Sequence, residues 1–303
     1  MEDIVNDTTN AMTIDVEDYY HVSAFARHID RRCWGSYPSR VASNTARLLD
    51  ILAEHGVRAT FFVLGWVAER CPCLVKSIAA AEHEVACHGY SHELVYRQHV
   101  TVFREETHRA KNILEDLAQQ PVDGYRAAGY SITRQSWWAL DVLADLGFIY
   151  DSSIFPSHHP EYGIPDAARA PHWLTTPAGY TIAEFPPATV EFGRYRLPVG
   201  GGGYFRLLPY FLTRTLLRRI NRDERRPFVF YLHPWELDTA QPRIQANALA
   251  RFRHYNNIDK CEARLRRLLG DFRFQPARAA LIDLGLIAPV TMPTPRMSLE
   301  VVP

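Results

Sequence analysis

Two histidines four residues apart, His88 and His92 in the run HGYSH, directly follow the short apolar stretch EVAC. On a helical turn that spacing puts both imidazoles on one face, where they can hold one metal ion. In a chain with 13 histidines such a pair also arises by chance, so the reading needs carboxylates. Asp15, Glu17 and Asp18 supply them, in the run DVED at the end of another apolar stretch. Two imidazoles and one carboxylate fill three positions on a zinc ion and leave a fourth for water. Water held in that way has a pKa of ~7, and a second carboxylate can accept its proton as it attacks a carbonyl carbon. The acid cluster therefore has enough groups for a ligand and a base.

Three further residues fit the same chemistry. Arg126 can pair with one of the carboxylates and orient it. His233 closes the apolar run FVFYLH. An imidazole there is either a satisfied core histidine or faces the site, where as an acid it would protonate a departing amine. Asp151, at the end of FIYD, could bond the second ring nitrogen of His233 and set its tautomer.

These residues must be positioned by elements that alternate from the start of the chain. Apolar, β-branched or aromatic runs predict strands at AMTID, RATFFVLG, EVACH, GYRAAG, FIYDSS, IAEFP and PFVFYLH. Between them, periodic stretches predict helices, among them one over 43–56 with Ser43 as its cap and Gly56 as its stop. Repeated β–α units predict one α/β domain, with parallel strands and outer helices, as a barrel or an open sheet. Asp15, His88, Arg126, Asp151 and His233 all fall at strand C-terminal ends, where such folds assemble their sites. Residues 157–180 read as a long loop of the kind that covers a site. Residues 1–10 are expected to be a flexible N-terminus, 11–275 the domain, and 276–303 a C-terminal segment that is partly a loose tail.

Composition narrows the partners. The 303 residues carry 34 basic and 34 acidic side chains, so no overall field favours nucleic acid. Arginine is concentrated at Arg214, Arg218, Arg219, Arg222, Arg225 and Arg226, and again at Arg264, Arg266 and Arg267, with leucines at helical spacing. Each stretch reads as an amphipathic helix with a solvated basic face, which also fits peripheral contact with anionic headgroups. The five cysteines, Cys33, Cys71, Cys73, Cys87 and Cys261, show no CxxC spacing and suggest no disulfide framework. No apolar signal region or membrane span is visible, so a cytoplasmic, membrane-associated location is expected. Oligomeric state leaves no mark on the sequence.

Taken in order, TIDVEDYYHVSAF, HGYSHELVY, YRAAGYSIT, YDSSIFP, LPVGGGGYFRLLPY, FYLHPWELD and FRHYNNIDKCEARLRRLL make the chain resemble a known family. It is similar to the polysaccharide deacetylases of the NodB-homology group (carbohydrate esterase family 4). Within them it resembles the branch found beside exosortase and PEP-CTERM exopolysaccharide loci. The resemblance spans residues 13 to about 270. It implies a distorted (β/α) barrel with fewer than eight strands, and a divalent metal, with zinc the expected ion. It implies removal of N-acetyl groups from amino sugars of an exopolysaccharide or its lipid-linked precursor. It also implies Asp15 as the base, His88 and His92 as metal ligands, Arg126 as the residue orienting the base, and His233 as the acid. Where relatives have adjacent aspartates, this chain has Asp15-Val-Glu-Asp18; Asp18 is the expected carboxylate ligand, with Glu17 the alternative. Ala128 stands where the family's arginine motif often has proline. Tyr130, Trp235, Tyr204 and Phe205 are candidate platforms for sugar rings. Two other functions fit parts of the pattern: hydrolysis of a small cyclic amide or amidine, and non-catalytic glycan binding. The second predicts loss of the base or the acid, yet both remain.

Overall fold

The computed structural model describes residues 8–159 and 162–289. Along the chain lie β1 (Thr9–Val16), α1 (Val41–Glu54), β2 (Thr60–Val63), α2 (Gly65–Arg70), α3 (Pro72–Ala80), β3 (Glu84–Cys87), α4 (Val100–Ala118), β4 (Gly124–Tyr125), α5 (Ala139–Asp145) and β5 (Tyr150–Asp151). They are followed by β6 (His172–Thr175), β7 (Thr181–Glu184), β8 (Thr189–Phe192), β9 (Tyr195–Pro198), α6 (Gly202–Leu207), α7 (Tyr210–Arg222) and β10 (Val229–Leu232). Finally come α8 (Ala248–Tyr255), α9 (Ile258–Asp271), β11 (Arg273–Gln275) and α10 (Ala277–Asp283).

The main sheet has the order β10-β1-β2-β3-β4-β5-β7-β6. It is parallel from β10 to β7, and only β6 pairs antiparallel, on β7. The sheet curls into a half-barrel within one domain. Parallel bridges from Pro187 to Val229 and from Gly201 to Tyr231 lay the chain after β7 along the outer edge of β10. Such strands are covered on both faces, which is why β1, β2 and β10 read as continuous apolar runs.

Alternation along these strands sorts the side chains. Met12, Ile14, Val16, Phe61, Val63, Phe230 and Leu232 point outward into one core with Leu48, Ile51 and Leu52 of α1. Ala11, Phe62, Ala86, Tyr150 and Val229 point inward and pack against Ala277, Ala280 and Leu281 of α10. Two or four residues further on, at the C-terminal ends, the same inward rows carry Asp15, His88 and His233. The inside of the curl is thus apolar at one end, plugged by α10, and polar at the other.

Several expectations are corrected. Thr9 and Asn10, expected to be flexible, belong to β1, and buried Asn10 bonds Asn221 at 3.2 Å; residues 1–7 lie outside the described ones. The segment from 276 opens with α10, which packs on the sheet interior. The loose tail expected near the end falls on 290–303, also outside the described residues. The loop expected over 157–180 contains β6, and the β8–β9 hairpin was not anticipated. Helix α1 starts at Val41, and Ser43 does not cap it. All five cysteines are free thiols.

Candidate active site

The cap that α1 lacks locally comes from Asp18. Its Oδ2 accepts from the backbone N–H of Arg40 at 2.7 Å and of Val41 at 3.1 Å, and from Ser39 Oγ at 2.9 Å. Its Oδ1 accepts from Tyr19 N–H at 3.0 Å. A carboxylate at a helix N-terminus satisfies otherwise unpaired donors and meets the positive end of the helix dipole. With both oxygens used in this way, Asp18, the expected carboxylate ligand, stays out of the histidine group, and Glu17, the alternative, lies with it instead.

Among the described residues, Glu17, His88 and His92 form a buried group whose ligand atoms all lie within 4.8 Å of one another. His88 Nδ1 is 2.8 Å from the Arg126 carbonyl, which can only accept. The proton therefore sits on Nδ1, and Nε2 is left with its lone pair for a cation. His92 Nε2 is 3.2 Å from Glu17 Oε2, and burial pushes its pKa down to about 4, so the imidazole is in the neutral form that binds metals. Burial disfavours the Glu17 carboxylate, but His92 and His233 outweigh that and hold it well below the usual range. Glu17 Oε2 is buried without a hydrogen-bond partner. An ionised carboxylate, a neutral imidazole and an imidazole of fixed tautomer fit a divalent cation such as zinc. The HGYSH segment is a loop, not the helical turn expected. Gly89 and His92 both take positive φ, +75° and +52°, and that reversal brings the two rings to centroids 5.4 Å apart.

Arg126 stands beside this group, fully buried. Its Nη1 donates to Asp15 Oδ1 at 2.7 Å and to Thr13 Oγ1 at 2.8 Å, while Nη2 donates to Ser152 Oγ at 2.9 Å. The guanidinium lies over the Phe62 ring at 4.1 Å. Asp15 is therefore fixed on one oxygen, with Oδ2 facing His233 Nε2 at 3.9 Å.

His233 is 3.0 Å from Glu17 Oε1 through Nε2, and its Nδ1 bonds Glu236 Oε1 at 2.8 Å. Asp151, expected as its partner, is engaged elsewhere. Asp151 Oδ1 accepts from Ser153 Oγ at 2.5 Å, and Ser153 Oγ accepts from Ala127 N–H at 2.7 Å, so Asp151 braces the loop that carries Arg126. Glu236 takes its place because it closes a capping box at i+3, accepting also from His233 N–H at 3.1 Å. Behind it, buried Arg206 of α6 donates to Glu236 Oε2 at 2.5 Å and to the carbonyls of Arg253, His254 and Asn256. Gly201 permits this close seating of α6: a Cβ there would lie 1.9 Å from the Tyr231 carbonyl oxygen, and its φ is +132°. Burial resists the charged ring of His233, but Glu17 and Glu236 together raise its pKa to about 10.

Arg206 and Glu236 escaped the sequence reading. The HPWE spacing was the available signal for Glu236; nothing local marks Arg206. Trp235, a candidate sugar platform, is only 4 % exposed and stacks between His233 and His254, with centroids at 5.2 and 4.1 Å. It forms the wall behind His233. Phe205 is core, packed edge-on to Phe230, and Tyr130 is buried against Phe155 and Tyr231. Replacing Glu236 by Gln removes the anion from Nδ1 and lowers the imidazolium pKa. If His233 works protonated, the alkaline limb of kcat moves to lower pH and kcat falls about 10–100-fold. A pH–rate profile checks this, and an unmoved limb removes Glu236 from the site.

The family model described as "Polysaccharide deacetylase" matches residues 34–149, which include His88, His92 and Arg126. Over these residues the chain carries a domain of the polysaccharide deacetylase type. A second model, described only as a domain of unknown function (DUF3473), matches 152–281 and contains Arg206, His233 and Glu236. Relatives of the family include the Bacillus cereus peptidoglycan-N-acetylglucosamine deacetylase. It is 39 % identical over 74 residues, 24 % of this chain and 27 % of that protein. A Bradyrhizobium chitooligosaccharide deacetylase is 33 % identical over 100 residues, 33 % of this chain and 43 % of that protein. The matches thus span less than half of these curated relatives. In fold, the chain is similar to a Mycobacterium smegmatis protein provisionally assigned as a polysaccharide deacetylase. The TM-score is 0.59 at 23 % identity, over 95 % of this chain and 94 % of that one. It is equally similar to PuuE allantoinase, with a TM-score of 0.59 at 15 % identity, over 93 % and 92 %. These likenesses support the curled (β/α) barrel expected from the sequence.

Proposed function

We propose that the protein is a metal-dependent hydrolase that removes N-acetyl groups from amino sugars of an exopolysaccharide or its lipid-linked precursor. One observation carries this reading: a buried Glu17/His88/His92 group flanked by an arginine-bound carboxylate and a glutamate-bound histidine. A divalent cation bound by those three residues would polarise the acetamide carbonyl and make water more acidic. Asp15, oriented by Arg126, takes the proton of the attacking water. His233, kept protonated on Nδ1 by Glu236, delivers a proton from Nε2 to the sugar nitrogen as acetate leaves. Asp151 and Ser153, both fully buried, hold the Arg126 loop.

The test is metal analysis of the purified protein together with acetate detection on N-acetylhexosamine oligomers, with allantoin as the comparison substrate. Acetate release that stops on chelation and returns with zinc is the expected result. Turnover of the cyclic amide alone would overturn the polysaccharide reading.

A basic face supports presentation of substrate at an anionic membrane. Phe211 of α7 is 68 % exposed, on the same helix as exposed Arg218, Arg219 and Arg222, and Arg219 covers the half-exposed Phe192 of the β8–β9 hairpin at 5.2 Å. No helix among the described residues is long and apolar enough to cross a membrane. Each arginine near an anionic surface contributes about 1 kcal/mol. Co-sedimentation with phosphatidylglycerol vesicles is expected, falling at high salt and in Arg218→Glu/Arg219→Glu. Binding unchanged by that charge reversal removes the membrane from the account.

A further inference from the structure

Beside the site, on the far side of His92, lies a cavity of about 670 Å³ between the segment 20–34 and the turn after His92. Its volume is in the range of small-ligand sites. Two features set its chemistry. His21 lines it, 3 % exposed, with Nδ1 accepting from Asp18 N–H at 2.9 Å. A nitrogen that accepts carries no proton, so Nε2 carries it, and that buried Nε2–H has no partner. An unpaired buried donor costs free energy that a ligand acceptor would restore. Second, Arg27 and Arg97, both exposed, line the same cavity. Neither forms an ion pair among the described residues, whereas Arg31 is paired with Glu93 and Asp30 with Arg32. The cavity thus holds unspent donors and positive charge. Its one common wall with the metal group is His92.

We propose that this cavity is a subsite for an anionic group, a carboxylate or phosphate, carried by the substrate next to the N-acetylated sugar. The substrate half of that statement rests on the deacetylase reading; the anion site itself does not. Arg27 and Arg97 attract and clamp the anion, and His21 Nε2–H donates to one of its oxygens. A neutral glycan could accept from these donors through its hydroxyl and carbonyl oxygens but would bring no charge to the two guanidiniums, so the cavity favours acidic substrates.

Binding can be read without turnover, because Trp34 and Trp66 flank His21 at ring centroids of 4.3 and 5.1 Å and report on its surroundings by fluorescence. The probes are a glucuronate–N-acetylglucosamine disaccharide, N-acetylglucosamine 1-phosphate and neutral di-N-acetylchitobiose. At least one acidic probe is expected to bind about tenfold or more tighter than the neutral one. Whichever does so separates carboxylate from phosphate. In Arg27→Ala/Arg97→Ala, two surface changes that leave the core untouched, the preference should disappear. His21→Phe, checked for folding by circular dichroism, should weaken the acidic probe alone. Equal affinities for all three probes, or a preference that survives loss of both arginines, overturn the proposal. A failure of the deacetylase reading would instead appear as absent acetate release with these binding differences intact.

Discussion

Asp15→Asn is expected to lower kcat for acetate release by about 10²–10⁴-fold, the range contributed by a positioned general base, while bound metal stays at wild-type stoichiometry. The reason is geometric. Asp15 Oδ1 receives Arg126 Nη1, and the group that could hold a metal ion is Glu17, His88 and His92, so the proposed site gives Asp15 no ligand duty. Asparagine keeps an oxygen for Arg126 and the shape of the buried site, but its amide cannot accept the proton of water. KM is expected to change little, because the lost interaction belongs to the transition state. Parallel loss of metal and rate would make Asp15 a ligand and leave the base unassigned. A rate within a few-fold of wild type would remove it from the chemistry.

How much of this was legible in the chain differs residue by residue. Asp15, His88, Arg126 and His233 could be read because each ends a strand, and strand ends of a parallel sheet converge whatever the details of the loops. The parallel sheet followed from the same alternation, which left barrel and open sheet both open; the distorted barrel was what the family resemblance implied. Partners set by distant packing could not be read. Glu17 and Asp18 have the same chemistry one residue apart, and what separates them is the N-terminus of α1, more than 20 residues downstream, which claims Asp18. Asp151 looked like a partner for His233 because both end strands, yet Ser153, two residues away, binds it first. Arg206 reaches Glu236 only because a glycine run lets α6 press against β10, a tertiary fact without a local pattern. Charge on α7 was visible, but the exposed Phe211 and the hairpin beside it were not.

The separation of Glu17 from Asp18 yields the second large effect. Glu17→Ala removes one of three ligands and should strip the protein of metal on dialysis, with activity falling about 100-fold or more. Because Glu17 also touches His233 at 3.0 Å, activity alone would not distinguish a lost ligand from a disturbed acid. Metal content does. Asp18→Ala should do the opposite: the ion is retained, while stability drops by about 2–4 kcal/mol. That cost comes from leaving the Arg40, Val41 and Tyr19 N–H groups and the Ser39 hydroxyl without their acceptor. Burial outweighs these donors and holds the Asp18 carboxyl above its usual range, so its removal also relieves part of a desolvation cost and the net loss should lie at the lower end of that range. Thermal melts and metal analysis on the two variants therefore move in opposite patterns, one losing the ion with the fold intact, the other losing stability with the ion in place. Retention of metal by Glu17→Ala, with its loss from a folded Asp18→Ala, would reverse the assignment and put the helix cap in doubt along with it.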